Sequence, residues 1–564
     1  MGNDTSKPLP QVNVGFSTMC ISLHDTDCIT VLHHDQDALS TIRQAIMESW
    51  PHGIQNEYAI CGTGHAFKVI GNPFNSPESI SSRNSRQMIA TILHRLYNIG
   101  RRVVVSCDLG RLNDKSAVFL TRSPSHFSSA YPFVCVGLSS TDKLMIINLP
   151  TQLVETFKQT VRRNWTRGIQ NESYQNGVFE IKMCGNPWES TDEQSIMAKL
   201  LLQNLVGFFY QHQYSFAVNV NLKSTADSLF FRHDPDLPAG SFPQLCTISL
   251  NRTDRLRILC APEPIITIIR GVIQSVWSPV RFRMRKTIME AGNSNFQAIL
   301  GILQRESVMA SMTIHNVVLS TFFRYLILKI LEAMMVQGWH NIAAIDISRR
   351  LSDKSVLIFK KGEPKCCPVM CLSLTDSDKL RLINAPHELD DTFKEIVLSR
   401  WMNGIQEEKI MNLSFGGVRQ LKLRGCPWNG GINNDTCHMR SFLCNVIEAY
   451  AARGWRVLMA GDVSAKYESN CCCEPDYPID VHSFWFVCDG MQLSSPPTAH
   501  YPTSGYGIMP SPNAENPPTA PYPPTTGYGL HLILTQTFLH TNLLLHMVRP
   551  SVGKQEEIEG NTTL

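Results

Sequence analysis

Two clusters carry side chains able to ligate a metal or attack an electrophile. His33-His34-Asp35-Gln36-Asp37 offers two imidazoles and two carboxylates in five consecutive positions. Cys471-Cys472-Cys473 lies upstream of His482. Neither has the spacing its chemistry needs. The histidines have no counterparts in the later, otherwise similar parts of the chain. The cysteine run lacks the paired ligands of a zinc knuckle, so no metal and no cofactor is expected. Asp35 reads instead as the N-cap of a helix, where a short carboxylate meets free N–H groups and the positive end of the helix dipole. The chain contains no Gly-x-x-x-x-Gly-Lys-Ser/Thr, no Gly-x-Ser-x-Gly and no His-Glu-x-x-His, so phosphate-loop, elbow-serine and zincin chemistry have no foothold. The 18 cysteines form no Cys-x-x-Cys pair and mostly occupy apolar runs such as Val134-Cys135-Val136, where a thiol acts as a small hydrophobe. A reducing compartment follows.

The elements that would position such residues repeat. Trp50, Trp165, Trp277 and Trp401 recur at a spacing of roughly 110–125 residues. Three of them lead into Gly-Ile-Gln, at Gly53-Ile54-Gln55, Gly168-Ile169-Gln170 and Gly404-Ile405-Gln406. Then come Gly71-Asn72-Pro73-Phe74, Gly185-Asn186-Pro187-Trp188 and Gly425-Cys426-Pro427-Trp428. An aspartate recurs in an upstream turn, at Asp27, Asp142, Asp254 and Asp378. A second acid or amide recurs downstream, at Asp108, Asn221, Asp346 and Asp462. The third copy has drifted. It reads Pro279-Val280-Arg281 for Gly-Ile-Gln, and Gly301-Ile302-Leu303-Gln304 stands for Gly-x-Pro-Trp.

The fourth copy shows the pattern best. Val369 to Leu374 and Leu380 to Ile383 are apolar strands around the turn Thr375-Asp376-Ser377-Asp378, whose side chains bond their own backbone. Pro386 opens a helix whose Leu389, Phe393, Ile396 and Val397 fall on one face. A strand through Leu421 and Leu423 follows. Next is a helix carrying Phe442, Leu443, Val446, Ile447 and Tyr450, stopped at Gly454. Strands near Arg456–Met459 and Phe484–Val487 close the unit. The expected fold is therefore α+β: four tandem β-β-α-β-α-β-β modules of about 110 residues, each with its own core, strung as domains more than as a solenoid. The expected division is an arm at 1–12, modules at 13–125, 131–233, 242–361 and 366–488, a tail at 489–529 and a segment at 530–564. In this reading Gly-Ile-Gln stops a helix with a left-handed glycine, and the tryptophans plug the core.

Composition bounds the function. With 564 residues, 43% hydrophobic and 18% charged, the chain can bury full cores. Its net charge of +3 is too small for a general nucleic-acid binder. The start, Met1-Gly2 with Ser6, fits the N-myristoylation pattern at Gly2 and does not read as a secretory signal. One acyl chain holds a protein only marginally, so a second attachment is expected. Candidates are the basic strand Arg281-Phe282-Arg283-Met284-Arg285-Lys286 and palmitoylation in Cys471-Cys472-Cys473.

Residues 494–529 are rich in Pro, Tyr, Gly, Ser and Thr and carry one charge, Glu515; they cannot offset ordering entropy by burial and are expected to be disordered. They contain an imperfect duplication, Pro496–Pro502 and Pro517–Pro523. Its second copy holds Pro518-Thr519-Ala520-Pro521, which resembles the Pro-Thr/Ser-Ala-Pro late-domain motif that docks on the endosomal sorting machinery. The resemblance implies a short extended docking peptide. Residues 530–548 are weakly apolar but hold His531, Gln536, His540, Asn542 and His546, too many polar groups for a membrane span.

These features point to a non-enzymatic tandem-repeat scaffold, cytoplasmic and peripheral to a membrane face. Its partners would be proteins met through the repeats and the tail, and an anionic membrane surface. A nucleic-acid-binding repeat protein and a cysteine-dependent hydrolase are the alternatives.

Overall fold

The structure is a computed structural model and describes residues 17–489 except for several stretches between elements, the longest at 291–296, 306–314 and 469–476. Each module builds a six-stranded sheet and two helices in the order β-β-α-β-β-α-β-β, and module four adds a two-stranded ribbon between its last two sheet strands. Module one is β1 (Thr18–His24), β2 (Cys28–Leu32), α1 (Gln36–Ser49), β3 (Ile54–Ile60), β4 (Gly64–Val69), α2 (Ile80–Asn98), β5 (Arg101–Cys107) and β6 (Ala117–Arg122). Module two is β7 (Val134–Ser139), β8 (Lys143–Ile147), α3 (Thr151–Asn164), β9 (Ile169–Gln175), β10 (Val178–Met183), α4 (Asp192–Gln211), β11 (Tyr214–Val220) and β12 (Ser228–His233). Module three is β13 (Leu245–Asn251), β14 (Arg255–Leu259), α5 (Glu263–Val276), β15 (Phe282–Glu290), β16 (Gln297–Arg305), α6 (His315–Val336), β17 (Trp339–Ile345) and β18 (Val356–Lys361). Module four is β19 (Val369–Thr375), β20 (Lys379–Ile383), α7 (His387–Arg400), β21 (Ile405–Leu413), β22 (Gly416–Leu423), α8 (Asn434–Ala451), β23 (Trp455–Gly461), the two-residue strands β24 (Tyr467–Glu468) and β25 (Tyr477–Pro478), and β26 (Ser483–Cys488). All four six-stranded sheets are antiparallel and share one topology, β3-β4-β2-β1-β6-β5 in module one.

The α+β class and the fourfold module hold, and every module has one strand more than the sequence pattern shows. The addition is the outer edge strand, β3, β9 or β21, which starts at the isoleucine of Gly-Ile-Gln. It is polar and largely exposed, so it lacks the apolar alternation that marks a strand. In module three Gly301–Gln304 lie inside β16, not in a turn, so that module's counterpart of Gly-x-Pro-Trp falls after β16, outside the described residues. Pro150 and Pro386 occupy the N-cap, one position before the helices they precede.

Three of the anchor tryptophans behave alike. Trp50, Trp165 and Trp401 are buried at the C-cap of the first helix of their modules. Each indole donates to the carbonyl just before or at the next turn: to Ile70 at 2.9 Å, to Cys184 at 3.0 Å and to Arg424 at 3.0 Å. The glycines that follow, Gly53, Gly168 and Gly404, have φ of 74°, 90° and 76°, the left-handed stop that glycine takes without strain. Phe74, Trp188 and Trp428 fill the core beside them. Trp277 lies outside the described residues.

The modules do not own separate cores. In β1, Met19, Ile21 and Leu23 pack with helices α1 and α2 of their own module. Cys20, on the opposite face, joins the core built on α7 and α8 of module four. The same exchange runs around the chain: α2 packs on β7, α4 on β13, α6 on β19 and α8 on β1. Each sheet is therefore covered on both faces. That explains why β1, β2, β7 and β19 are buried at every position, as in sheets layered between helices. Four domains on a string become a closed ring.

Candidate functional site: the module junctions and the outer rim

The inner edge strands β5, β11, β17 and β23 contact one another in cyclic order around the ring axis. Each breaks register at its fourth residue, leaving Val104, Ala217, Ile342 and Leu458 as β-bulges. Bulges add twist and bend a strand locally. Here the bulged residues line a cavity of about 90 Å³ shared by all four strands.

Just past each inner strand comes the recurring acid or amide. The backbone N–H and C=O of all four close junctions. Asn221 N–H donates to Ser116 Oγ at 2.8 Å, and Ser116 N–H returns a bond to the Asn221 carbonyl at 3.0 Å. Asp346 N–H donates to Asp227 Oδ2 at 2.7 Å, with Asp227 N–H returning at 2.9 Å. Asp462 N–H donates to Ser355 Oγ at 3.0 Å, with Ser355 N–H returning at 3.0 Å. Asp108 N–H donates to His482 Nδ1 at 3.2 Å, with His482 N–H returning at 3.3 Å. Four reciprocal pairs thus join modules one to two, two to three, three to four and four back to one. Sequence reasoning found the acid positions but missed their partners. Serine, aspartate and histidine share only the ability to accept one hydrogen bond, which leaves no single residue type to recognise.

Asp227 also accepts from Asn219 Nδ2 at 2.7 Å. It is buried, and burial together with the charge of Asp108 pushes its carboxyl up to about 8.

A second layer joins helix to sheet. In every second helix a buried base stands four residues after a hydroxyl: Ser82 and Arg86, Ser195 and Lys199, Ser320 and Arg324, Thr436 and Arg440. Arg86 Nε reaches Ser228 of module two at 2.9 Å, and Arg324 Nε reaches Ser483 of module four at 2.7 Å. Gly137 makes room for the first: a Cβ there would lie 2.3 Å from Arg86 Nε.

The His33–Asp37 cluster is structural. The Asp35 carboxylate caps α1 through Ala38 N–H at 2.8 Å and pairs with Arg101 and Arg122. Burial works against its charge, but the Ala38 bond and Arg101 overrule it and hold its pKa below the ordinary value. His33 Nε2 meets Ser441 Oγ of α8 at 2.6 Å.

The outer rim recurs as well. Gln55, Gln170 and Gln406 each fall at the register break of their edge strand. All three are exposed. Their neighbouring glutamates are engaged: Glu57 with Arg43 and His65, Glu172 with Lys158 and Arg162, Glu408 with Lys394 and Arg419.

Of the residues singled out from sequence, Gly2, Arg281, Cys471–Cys473 and Pro518-Thr519-Ala520-Pro521 lie outside the described residues. Arg283, Arg285 and Lys286 fall on β15, the outer edge strand of module three, opposite Gln304, Ile302 and Gly301 of β16. Among the described residues no group of three or more His, Cys, Asp or Glu could hold a metal ion, and no helix is long and apolar enough to cross a membrane.

One protein-family model matches residues 17–121, 132–232, 244–297, 318–360 and 368–487, and the chain belongs to that family, carrying its domain repeatedly. The third and fourth stretches are two parts of module three. No curated protein and no solved structure matches the chain.

Proposed function

We propose that the chain is a non-enzymatic interaction scaffold, a ring whose rim offers several equivalent contact points to protein partners. The supporting observation is the recurrence of an exposed glutamine at Gln55, Gln170 and Gln406. A residue repeated for packing is expected to be buried; these amides point to a use outside the fold. The acids that recur inside close the ring through their backbone groups, and the Asp108 carboxylate accepts from Ser116 and Asn221 as well.

In this reading Gly2 carries an acyl chain that sets the ring on a cytoplasmic membrane face, with Arg281, Arg283, Arg285 and Lys286 as a second, electrostatic attachment. Pro518-Thr519-Ala520-Pro521 recruits the endosomal sorting machinery.

The test compares the full chain with a triple Gln55→Ala, Gln170→Ala, Gln406→Ala variant in affinity capture. The variant is expected to keep the thermal midpoint of the parent and to lose its captured proteins. Capture unchanged by the triple substitution overturns the rim reading. Capture of nucleic acid by the parent, lost when the four basic residues are neutralised, favours the nucleic-acid alternative instead. For the ends, Gly2→Ala is expected to move the protein from membrane to soluble fractions, and changing Thr519 and Ala520 together to abolish binding of the tail peptide to the late-domain receptor.

A further inference from the structure

Three of the four junctions are crossed by the backbone, at 123–133, 234–244 and 362–368. The fourth, between module four and module one, has no covalent link and is closed by hydrogen bonds and packing. It is also where thiols gather. Cys20 and Cys107 of module one share a core with Cys444 of α8. At the edge of this core Cys61, in the turn between β3 and β4, is hydrogen-bonded thiol to thiol with Cys437 in the first turn of α8.

Cys437 follows directly on Thr436. The matching positions in α2, α4 and α6 are Arg83, Ile196 and Thr321, so the thiol belongs only to the junction the chain leaves open. Cys437 is buried, while Cys61 is half-exposed with φ of 48°, accessible to a small reagent at a tight turn.

We infer that Cys61 and Cys437 are a disulfide-forming pair that locks the ring covalently at this junction when the surroundings turn oxidising. The oxidant is a low-molecular-weight disulfide. The Cys61 thiolate attacks one of its sulfurs and releases one small thiol, leaving a mixed disulfide on Cys61. The Cys437 thiol loses its proton to solvent, and its thiolate attacks the Cys61 sulfur and releases the second small thiol. Two protein thiols are oxidised, and one small disulfide is reduced to two thiols. Burial and the bond to Cys61 push the Cys437 thiol up to about 12, which makes the second step the slow one.

The reduced full chain is incubated with oxidised glutathione under native conditions and mapped by non-reducing peptide mass spectrometry. A peptide linking Cys61 to Cys437 is expected. Global unfolding in urea is expected to slow by at least about tenfold on oxidation, because the bond closes a very long loop across the one junction that has no covalent link. Cys61→Asn removes the thiol and suits the left-handed backbone. In this variant oxidation should leave the unfolding rate at that of the reduced parent. Absence of the Cys61–Cys437 peptide, a bond from Cys437 to Cys20 in its place, or slowing that persists in Cys61→Asn overturns the inference.

Discussion

The backbone N–H of Asp108 donates to Nδ1 of His482, 374 residues further along the chain, at 3.2 Å. This pair turns a row of modules into a ring. The geometry requires Nδ1 to be unprotonated, since it accepts. The other junctions meet the same requirement with Ser116, Asp227 and Ser355.

His482→Leu should therefore destabilise the ring by about 1 kcal/mol, the cost of leaving a half-buried donor without its partner. His482→Ser, which copies Ser116 and Ser355, should recover part of that loss. Urea unfolding followed by tryptophan fluorescence measures both.

Asp227 should make stability fall as pH rises. Its folded pKa is about 8, raised by burial and by the charge of Asp108, while the unfolded carboxyl titrates near 3.9. Between those values the folded state binds more protons than the unfolded one, so raising the pH through the window removes stability, on the order of a few kcal/mol in all. Asp227→Asn keeps an acceptor for Asp346 and should flatten this slope. Urea midpoints at pH 5 and pH 9 decide it: the parent should lose ground at pH 9 relative to the variant.

His33 works in the opposite sense. Burial lowers its pKa to about 4, whereas the unfolded imidazole takes up a proton near 6.5. The stability at stake is intact above pH 6.5 and is lost as pH falls toward 4, because the unfolded state then binds more protons. The equivalent left-handed positions hold Asn148 and Asn384, with φ of 61° and 60° against 56° for His33. Both amides donate to a carbonyl fifteen residues back. His33→Asn should fold and should remove this part of the acid sensitivity, seen as a smaller drop in thermal midpoint between pH 7 and pH 4.5.

Arg86→Ala should cost about 2–4 kcal/mol, since it empties buried volume and strands Ser228. Gly137→Ala should cost about 1–3 kcal/mol by collision with the same guanidinium. The two changes touch each other, so they should not add: Gly137→Ala should be better tolerated once Arg86 is gone. A double-mutant cycle in urea reads the coupling directly.

Much of this was legible in the residues. The tryptophan period marked four modules. The left-handed glycines of Gly-Ile-Gln and the cap at Asp35 followed from local backbone chemistry, which depends on neighbours in sequence. Strands β3, β9 and β21 escaped because Gln-Asn-Glu or Gln-Glu-Glu on an exposed edge has no apolar rhythm. Ring closure escaped for a different reason. It rests on pairs such as Asp108 with His482, whose partners share a hydrogen-bonding capacity and no residue type. One hint stood in plain view: the mostly apolar strands β1, β7 and β19, with apolar residues on both faces, belong to sheets covered on both sides, and a lone two-helix module covers only one.

The four bulged inner strands carry a liability that the ring conceals. Each ends its sheet with a free edge, and a free edge is a template on which another chain can add. The outer edges are guarded by charge at Glu57, Glu172, Glu407 and Lys409, but the inner segments Val103-Val104-Val105 and Ile342-Ala343-Ala344 have no such guard. Their protection is each other's company around the axis. A molecule opened at one junction would present two adhesive edges at once, one on each side of the gap. Those edges are complementary and head-to-tail, so opened copies would join into chains without a natural end. In this ring a break at one junction would expose two edges built to pair, so the junctions guard against association between copies as well as against unfolding.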